Sequence, residues 1–161
     1  ENLGADLTIS GTVGAAWEAA SYGVPALAVS LQTDMNSHIN HRLDVDFSGA
    51  IHFTRMFAKR LLYIASTNDV DLLNINVPMN ANKNTAWKIT RQSRKQYFVP
   101  TNLSNPDLIQ YKRADDYEEA ESDSDIFAIT KEKVVSITPI SIDATARVSL
   151  LDFEEKMSQL D

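Results

Sequence analysis

The fold class is decided by residues 10–31, which read SGTVGAAWEAASYGVPALAVSL. The part that follows Ser10-Gly11-Thr12 is rich in alanine and other strong helix formers, and Gly23 is a natural residue to end that helix. Residues Pro25 to Leu31 then form a nearly continuous apolar run, which is typical of a strand buried on both faces of a parallel sheet. A helix followed directly by a buried strand predicts an α/β architecture.

The same pattern continues on both sides of this stretch. Leu7 to Ile9 is short, apolar and β-branched and predicts a strand or extended segment before the helix. Asp71 to Val77 predicts a second buried strand that ends at Pro78. Between the two strands, apolar residues recur at helical spacing and predict one long amphipathic helix; they are Phe47, Ala50, Ile51, Thr54, Phe57, Ala58, Leu61, Leu62 and Ala65. The repetition favours a doubly wound core.

The rest of the chain predicts three segments. Residues 1–80 form part of an α/β core, and residues 81–133 form an extended hairpin and an acidic loop region after a strand near Thr85 to Thr90. Residues 134–161 hold the last strand, Val134 to Thr138, and a terminal amphipathic helix from Ser149 to Leu160. The apolar side of this helix carries Leu150, Leu151, Phe153 and Met157.

The charge of the chain is concentrated in one place. The net charge is −7, and the stretch from Asp115 to Asp125 alone holds seven carboxylates and no cation. Neither a nucleic-acid polymer nor an anionic membrane is indicated as a partner, because both need clustered Lys and Arg. The chain has no cysteine, which excludes thiolate metal sites and Cys nucleophiles, and no apolar run of about 20 residues predicts a membrane span. A cytoplasmic location is predicted.

Ser10-Gly11-Thr12 is the sharpest chemical feature. Free N–H groups and hydroxyls at the start of a helix form an anion site, and Gly11 lets a phosphate approach the backbone. Simple N-capping by Ser10 or Thr12 is the alternative. The stretch is neither a Walker loop, which needs a Lys after its glycines, nor a dinucleotide fingerprint, because Gly11 and Gly14 have the wrong spacing.

Other candidate residues have simpler explanations. His38, His41 and His52 lack the spacing of a metal motif and are interpreted as exposed or hydrogen-bonding histidines. Asp123-Ser124-Asp125 lacks the glycine of a calcium loop and is interpreted as a solvated acidic loop. Residues Arg91 to Lys95 include three cations, which are interpreted as surface ion-pair donors or as contacts to a phosphate.

Several separated segments, taken together and in order, resemble the SurE family of survival-protein nucleotidases. The main ones are Asn2 to Gly4 with Ser10 to Ala16, Leu73 to Pro78, and Val135 to Ile140, and the supporting ones are Pro25 to Ser30, Thr90 to Arg94 and Asp143 to Thr145. The resemblance implies a Rossmann-type three-layer core with an extended β-hairpin and a C-terminal helix. It also implies a homodimer or homotetramer in which the C-terminal element is exchanged between subunits.

The implied activity is hydrolysis of nucleoside 5'- or 3'-monophosphates by a metal-dependent phosphomonoesterase. The family's Mg or Mn is bound by an Asp-Asp pair, a Ser and an Asn, all expected upstream of Glu1 together with the first strands, so no metal ligand is expected in this chain. The resemblance places Asn2, Ser10, Gly11 and Thr12 on the phosphate side, with Ser10 and Thr12 as catalytic residues. The alternatives are a non-catalytic truncated or degenerate homologue that keeps only oligomerisation or nucleotide binding, and an unrelated α/β binding module.

Overall fold

A four-stranded sheet lies at the centre of the computed structural model, which describes residues 1–34, 45–64, 69–101 and 110–159. Its strands are β1 (Ala26–Leu31), β2 (Leu72–Val77), β3 (Trp87–Ile89) and β6 (Val135–Ile140). Their order is β1-β2-β6-β3. β1 is parallel to β2, and β6 runs antiparallel to β2 and parallel to β3. The core is therefore a mixed sheet in which the last strand lies between two earlier ones.

Burial differs between the two predicted core strands. All six residues of β2 are buried, because β2 is paired on both sides. In β1 only Ala28 is buried, and the other five residues are half-buried. Both faces of β1 are covered by apolar clusters, as predicted, with Leu27, Val29 and Leu31 on one side and Ala26 and Ala28 on the other. The strand is nevertheless only partly buried, because it pairs with a single strand in the described part of the chain and lies at the edge of the sheet.

The two long helices pack on opposite faces of the sheet. Helix α1 (Gly11–Ser21) packs with Leu7, Ala28 and Leu72, whereas helix α2 (Ser48–Ile64) packs with Leu73, Ile75 and Val77. Adjacent side chains of a strand point to opposite faces, so Leu72 and Leu73 mark the two sides. The molecule thus has a helix–sheet–helix layering, and Gly23, with φ +75°, follows the end of α1 as predicted.

The apolar face of α2 differs in part from the predicted one. Ala50, Phe53, Phe57 and Leu61 are buried. Phe47, Ile51 and Leu62 are 54%, 52% and 76% exposed, so including them in the packing face was wrong. Ala65 lies outside the described residues. The buried set follows the spacing of three and four that keeps side chains on one side of a helix.

The predicted strand at Leu7 to Ile9 is wrong as well. Residues Ala5–Ile9 form a 3-10 helix, in which the N–H of Ser10 bonds the carbonyl of Leu7 at 3.3 Å. Leu7 to Ile9 have no partner strand in the described part of the chain, and the bonds from Leu7 to Gly4 and from Ser10 to Leu7 are local ones of the 3-10 type. The turn brings the chain from Gly4 directly to the start of α1.

A second unit of structure surrounds the basic run. Strands β4 (Phe98–Thr101) and β5 (Gln110–Arg113) form an antiparallel pair, followed by a 3-10 turn (Tyr117–Glu119), the short helix α3 (Asp125–Phe127) and a π-helical turn (Ala128–Glu132). Their core consists of Leu3, Tyr97, Ala120, Ile126 and Ile129. Leu3 therefore ties the first residues of the chain to this unit.

Helix α4 (Leu150–Ser158) confirms the predicted terminal helix. It begins after Ser149, whose side-chain oxygen accepts the N–H of Asp152, and none of its residues is buried. The predicted apolar residues are each more than half exposed: Leu150, Leu151, Phe153 and Met157. No helix in the described ranges combines the length and the apolar character needed to cross a membrane. The division into three segments stays a prediction.

Candidate functional site

The start of helix α1 has two solvent-exposed N–H groups without an acceptor in the described part of the chain. Ser10 is its N-cap, and the Ser10 hydroxyl accepts the N–H of Val13 at 3.1 Å while the Ser10 carbonyl accepts that of Gly14 at 2.8 Å. The N–H groups of Gly11 and Thr12 have no acceptor within the described ranges, and both residues are exposed. Capping and anion binding are therefore compatible here, because Ser10 satisfies the deeper N–H and leaves the first two for a ligand.

A shallow cleft of about 470 Å³ runs alongside this helix start. It is lined by Ser10, Gly14, Trp17 and Gln92, with Leu7, Thr8, Val13 and Glu18 completing it. The cleft lies on the side of the helix that carries Ser10, Gly14 and Trp17, and Trp17 gives it an aromatic wall, whereas Gly11 and Thr12 do not line it.

Asn2 lies on the sheet rather than against the helix start. Its N–H donates to Oδ1 of Asn76 at 2.7 Å, and its carbonyl accepts from the amides of Asn74 and Asn76 at 2.9 and 2.8 Å. Its own side-chain amide donates to the hydroxyl of Ser30. Ser30 and Asn76 are paired residues next to the ends of β1 and β2, the edge where open α/β sheets bind ligands.

These partners of Asn2 were missed from the sequence, although a signal exists. Asn74 and Asn76 alternate with apolar residues in a strand that is otherwise fully apolar, so both point to one face. Two fully buried amides on one face require polar partners. The backbone of Asn2 is that partner.

The next residues are held by two buried carboxylates. Asp6 accepts the N–H groups of Tyr97 and Phe98 at 3.0 and 2.7 Å, and Asp125 accepts that of Gly4 at 2.9 Å. Burial raises the pKa of Asp125 to about 6, against the opposing effect of its N–H donors, and burial also raises the pKa of Asp6.

The interpretation of Asp123-Ser124-Asp125 as a solvated loop is wrong for two of its three residues. Ser124 and Asp125 are fully buried, and only Asp123 is exposed. Ser124 caps α3, and the carboxylate of Asp125 turns inward to bond backbone N–H groups. A run of acidic residues in a sequence does not show which of its carboxylates faces the interior.

The basic run forms ion pairs, as one of its two interpretations predicted. Arg91 contacts Asp123 at 2.7 Å and Glu121 at 3.4 Å, and Lys95 contacts Asp116 and Glu119 at 3.0 and 3.1 Å. Hydrogen bonds from these cations lower the pKa of Asp116 and Asp123. Much of the acidic stretch is thus paired with the basic run.

The described residues do not form a metal centre by themselves. They contain no group of three or more His, Asp or Glu side chains placed to hold an ion. Both carboxylate oxygens of Glu1 and Oδ1 of Asn74 are buried and lack a hydrogen-bond partner there, and these are hard oxygen donors of the kind Mg²⁺ prefers. His52 is exposed and packs edge-on against Phe53, whereas His38 and His41 lie outside the described residues.

Tyr97 lies within the electrostatic influence of the Glu1 carboxylate. Its side chain is fully buried, and Arg113 lies 5.6 Å from the centre of its ring. Burial raises the pKa of Tyr97 to about 12, the Glu1 carboxylate adds to this effect, and the Arg113 guanidinium opposes it. Tyr97 is therefore neutral at physiological pH and acts as a packing group, and its buried hydroxyl has no hydrogen-bond partner among the described residues.

Layering, strand order and the capped helix start define a three-layer α/β protein with a candidate anion site at a helix N-terminus. The model of the family described as survival protein SurE matches residues 1–99. The chain belongs to the SurE family, which confirms the predicted fold class and family.

Named relatives agree with this assignment. The 5'-nucleotidase SurE of Thermococcus kodakarensis is 40% identical over 96% of this chain and 60% of its own length. That of Methanothrix thermoacetophila is 39% identical over 100% of this chain and 62% of its own length. The crystal structure of the SurE protein from Aquifex aeolicus has a TM-score of 0.71 and 25% identity, covering 99% of this chain and 61% of that one. The chain thus spans about 60% of the length of these relatives.

Proposed function

We propose that the protein is a phosphomonoesterase that hydrolyses nucleoside 5'- or 3'-monophosphates to nucleoside and phosphate. The observation that carries the proposal is the pair of N–H groups at Gly11 and Thr12, which have no acceptor in the described part of the chain and stand at the start of a helix whose N-cap, Ser10, lines a cleft. The relatives named 5'-nucleotidase support the substrate class. The phosphate side of the site is Asn2, Ser10, Gly11 and Thr12.

In this proposal the start of α1 binds and stabilises the phosphoryl group. During in-line attack by water, charge builds on the equatorial oxygens, and N–H donors that are already oriented stabilise it without rearranging. The N–H groups of Gly11 and Thr12 fill this role, the Thr12 hydroxyl adds a third donor, and Ser10 fixes the first turn through its bond to Val13. Asn2 orders the adjoining edge of the sheet.

A divalent cation, Mg or Mn, is part of the proposal. When bound, such a cation polarises phosphoryl oxygens and lowers the pKa of water. We also propose a cytoplasmic homodimer or homotetramer. The exposed apolar side of α4, with Leu150, Leu151, Phe153 and Met157, supports an assembly between subunits.

Replacement of Thr12 by Ala tests the role of the helix start. In the full-length protein with Mg²⁺ or Mn²⁺, Thr12→Ala is expected to lower kcat for adenosine 5'-monophosphate at least about 10-fold, because a donor to the developing charge is lost. Ser21→Ala is the matched control, since it removes a hydroxyl at the other end of the same helix. Unchanged kcat in Thr12→Ala would remove this role. Nucleotide binding without hydrolysis by the wild type would favour the non-catalytic alternative.

A further inference from the structure

The backbone N–H and carbonyl groups of Gly4 both form hydrogen bonds to distant parts of the chain. The Gly4 N–H donates to Oδ2 of Asp125 at 2.9 Å, and the Gly4 carbonyl accepts from the side-chain amide of Gln92 at 3.0 Å. The next N–H, of Ala5, donates to the carbonyl of Lys95 at 2.9 Å. Gly4 lies between Asn2 on the sheet and the 3-10 helix that leads to Ser10, so its position affects both ends of the candidate site.

Asp125 joins three segments that are distant in sequence. Its Oδ2 accepts from Gly4, while its Oδ1 accepts from the N–H groups of Ser93 and Ile126 at 3.0 and 2.8 Å. The residue is 0% exposed, and its own N–H donates to the carbonyl of Arg91 at 2.9 Å. A buried carboxylate with three N–H donors is a strongly directional anchor.

We infer that Asp125 is a positioning residue of the candidate site, which holds the segment Asn2 to Gly4 against the 91–95 loop. Asn2 thereby keeps its hydrogen bonds to Ser30 and Asn76. The 3-10 helix that follows Gly4 then places Ser10 at the start of α1. The effect on turnover rests on the proposed function, whereas the effect on the segment itself does not.

The chemistry of the side chain makes the inference testable with Asp125→Asn. The single carbonyl oxygen of an Asn satisfies Ser93 and Ile126 together, because one carboxylate oxygen bonds both. The new NH₂ group then faces the N–H of Gly4, a donor against a donor. The substitution keeps the shape of the residue and selectively releases Gly4.

Hydrogen exchange followed by mass spectrometry on the full-length protein measures this release directly. Asp125→Asn is expected to raise exchange in a peptide covering residues 1–9 at least about 10-fold, with no change in a peptide covering β2. Asp123→Asn is the control, since Asp123 is exposed, pairs with Arg91 and does not contact Gly4. Wild-type protection of residues 1–9 in Asp125→Asn, or an equal rise in β2, would overturn the inference.

Measuring kcat and KM then shows whether Asp125→Asn misplaces groups of the site or only reduces the amount of folded protein. With adenosine 5'-monophosphate, Asp125→Asn is expected to lower kcat about 10-fold with KM within about twofold, because misplaced groups act mainly on the reaction step. A normal kcat together with fast exchange would contradict the role in the site. If the wild type itself does not turn over this nucleotide, the proposed function fails, and the exchange experiment still decides whether Asp125 holds Gly4.

A second variant covers the case in which Asp125→Asn does not fold. Gln92→Ala removes the other side-chain bond to Gly4 and changes an exposed residue. It is expected to raise exchange in residues 1–9 about threefold and to lower kcat. Faster exchange with an unchanged kcat in Gln92→Ala would show that holding Gly4 does not set the geometry of the site.

Discussion

Replacing Gly4 by Ala would add a side chain at a position where the surrounding atoms leave no room for one. Gly4 has φ +56° and ψ −141°, a backbone conformation that residues with a side chain rarely adopt and that costs them about 1–3 kcal/mol. An added Cβ would lie 2.2 Å from the carbonyl oxygen of Lys95 and 2.8 Å from a methyl group of Ile126. The Lys95 carbonyl cannot move away freely, because it accepts the N–H of Ala5 at 2.9 Å.

The expected loss follows from these contacts. Strain from an overpacked site typically adds about 1–3 kcal/mol to the backbone term, so Gly4→Ala is expected to lower the free energy of unfolding by about 3 kcal/mol. Gly14→Ala is the matched control, since nothing lies within 4 Å of its Cβ position and the residue is in helix α1. An alanine there is expected to stabilise the protein by about 0.5–1 kcal/mol.

Urea unfolding followed by circular dichroism measures both variants against the wild type, with equal slopes showing that the comparison is valid. A Gly4→Ala variant within about 1 kcal/mol of the wild type would refute the argument. So would equal losses in the two variants, because the position of the contacts would then have no influence.

Two further predictions concern the core and the response to pH. Phe57→Ala is expected to cost about 3–5 kcal/mol in urea unfolding, because Phe57 is 4% exposed and packs edge-on against Trp87, whereas Leu62→Ala, at a site 76% exposed, should change stability by less than about 0.5 kcal/mol. The pKa of Asp125 in the folded state, about 6, lies above its ordinary value of 3.8. The folded state therefore binds the proton more tightly than the unfolded state, and protonation of Asp125 stabilises the fold increasingly as the pH falls. Between pH 7 and 4.5 the wild type is expected to gain about 2 kcal/mol relative to Asp125→Asn, and a difference independent of pH would contradict the raised pKa.

The helices and strands that carry a clear local sequence pattern were predicted correctly. The helix after Ser10, the strands at Ala26–Leu31 and Leu72–Val77 and the long helix between them follow from helix formers and apolar runs. Leu7 to Ile9 was mispredicted because a short run with β-branched residues such as Thr8 and Ile9 favours a strand only where a neighbouring strand is available. The partial exposure of β1 likewise depends on pairing, which no property of residues 26–31 determines.

The candidate site was predictable only where its residues are close in sequence. Ser10-Gly11-Thr12 could be found because a cap, a glycine and a helix stand side by side. The bond from Gly4 to Asp125 spans 121 positions, and an acidic run gives no sign of which carboxylate turns inward. Contacts of this kind depend on the path of the whole chain, including the insertion of β6 between β2 and β3.

The direction of β6 has a practical consequence for work on this protein. Because β6 is antiparallel to β2, Ser136 pairs with Asn76 near the candidate site, while Ile140 pairs with Leu72 at the opposite edge of the sheet. The chain is fixed at that far edge by bonds from Ser141 to Asp69 and from Ile142 to Asp71. A fluorophore or an immobilising tag attached just after the C-terminal end of β6 would therefore lie at the end of the sheet remote from Asn2, which suits binding assays on a surface.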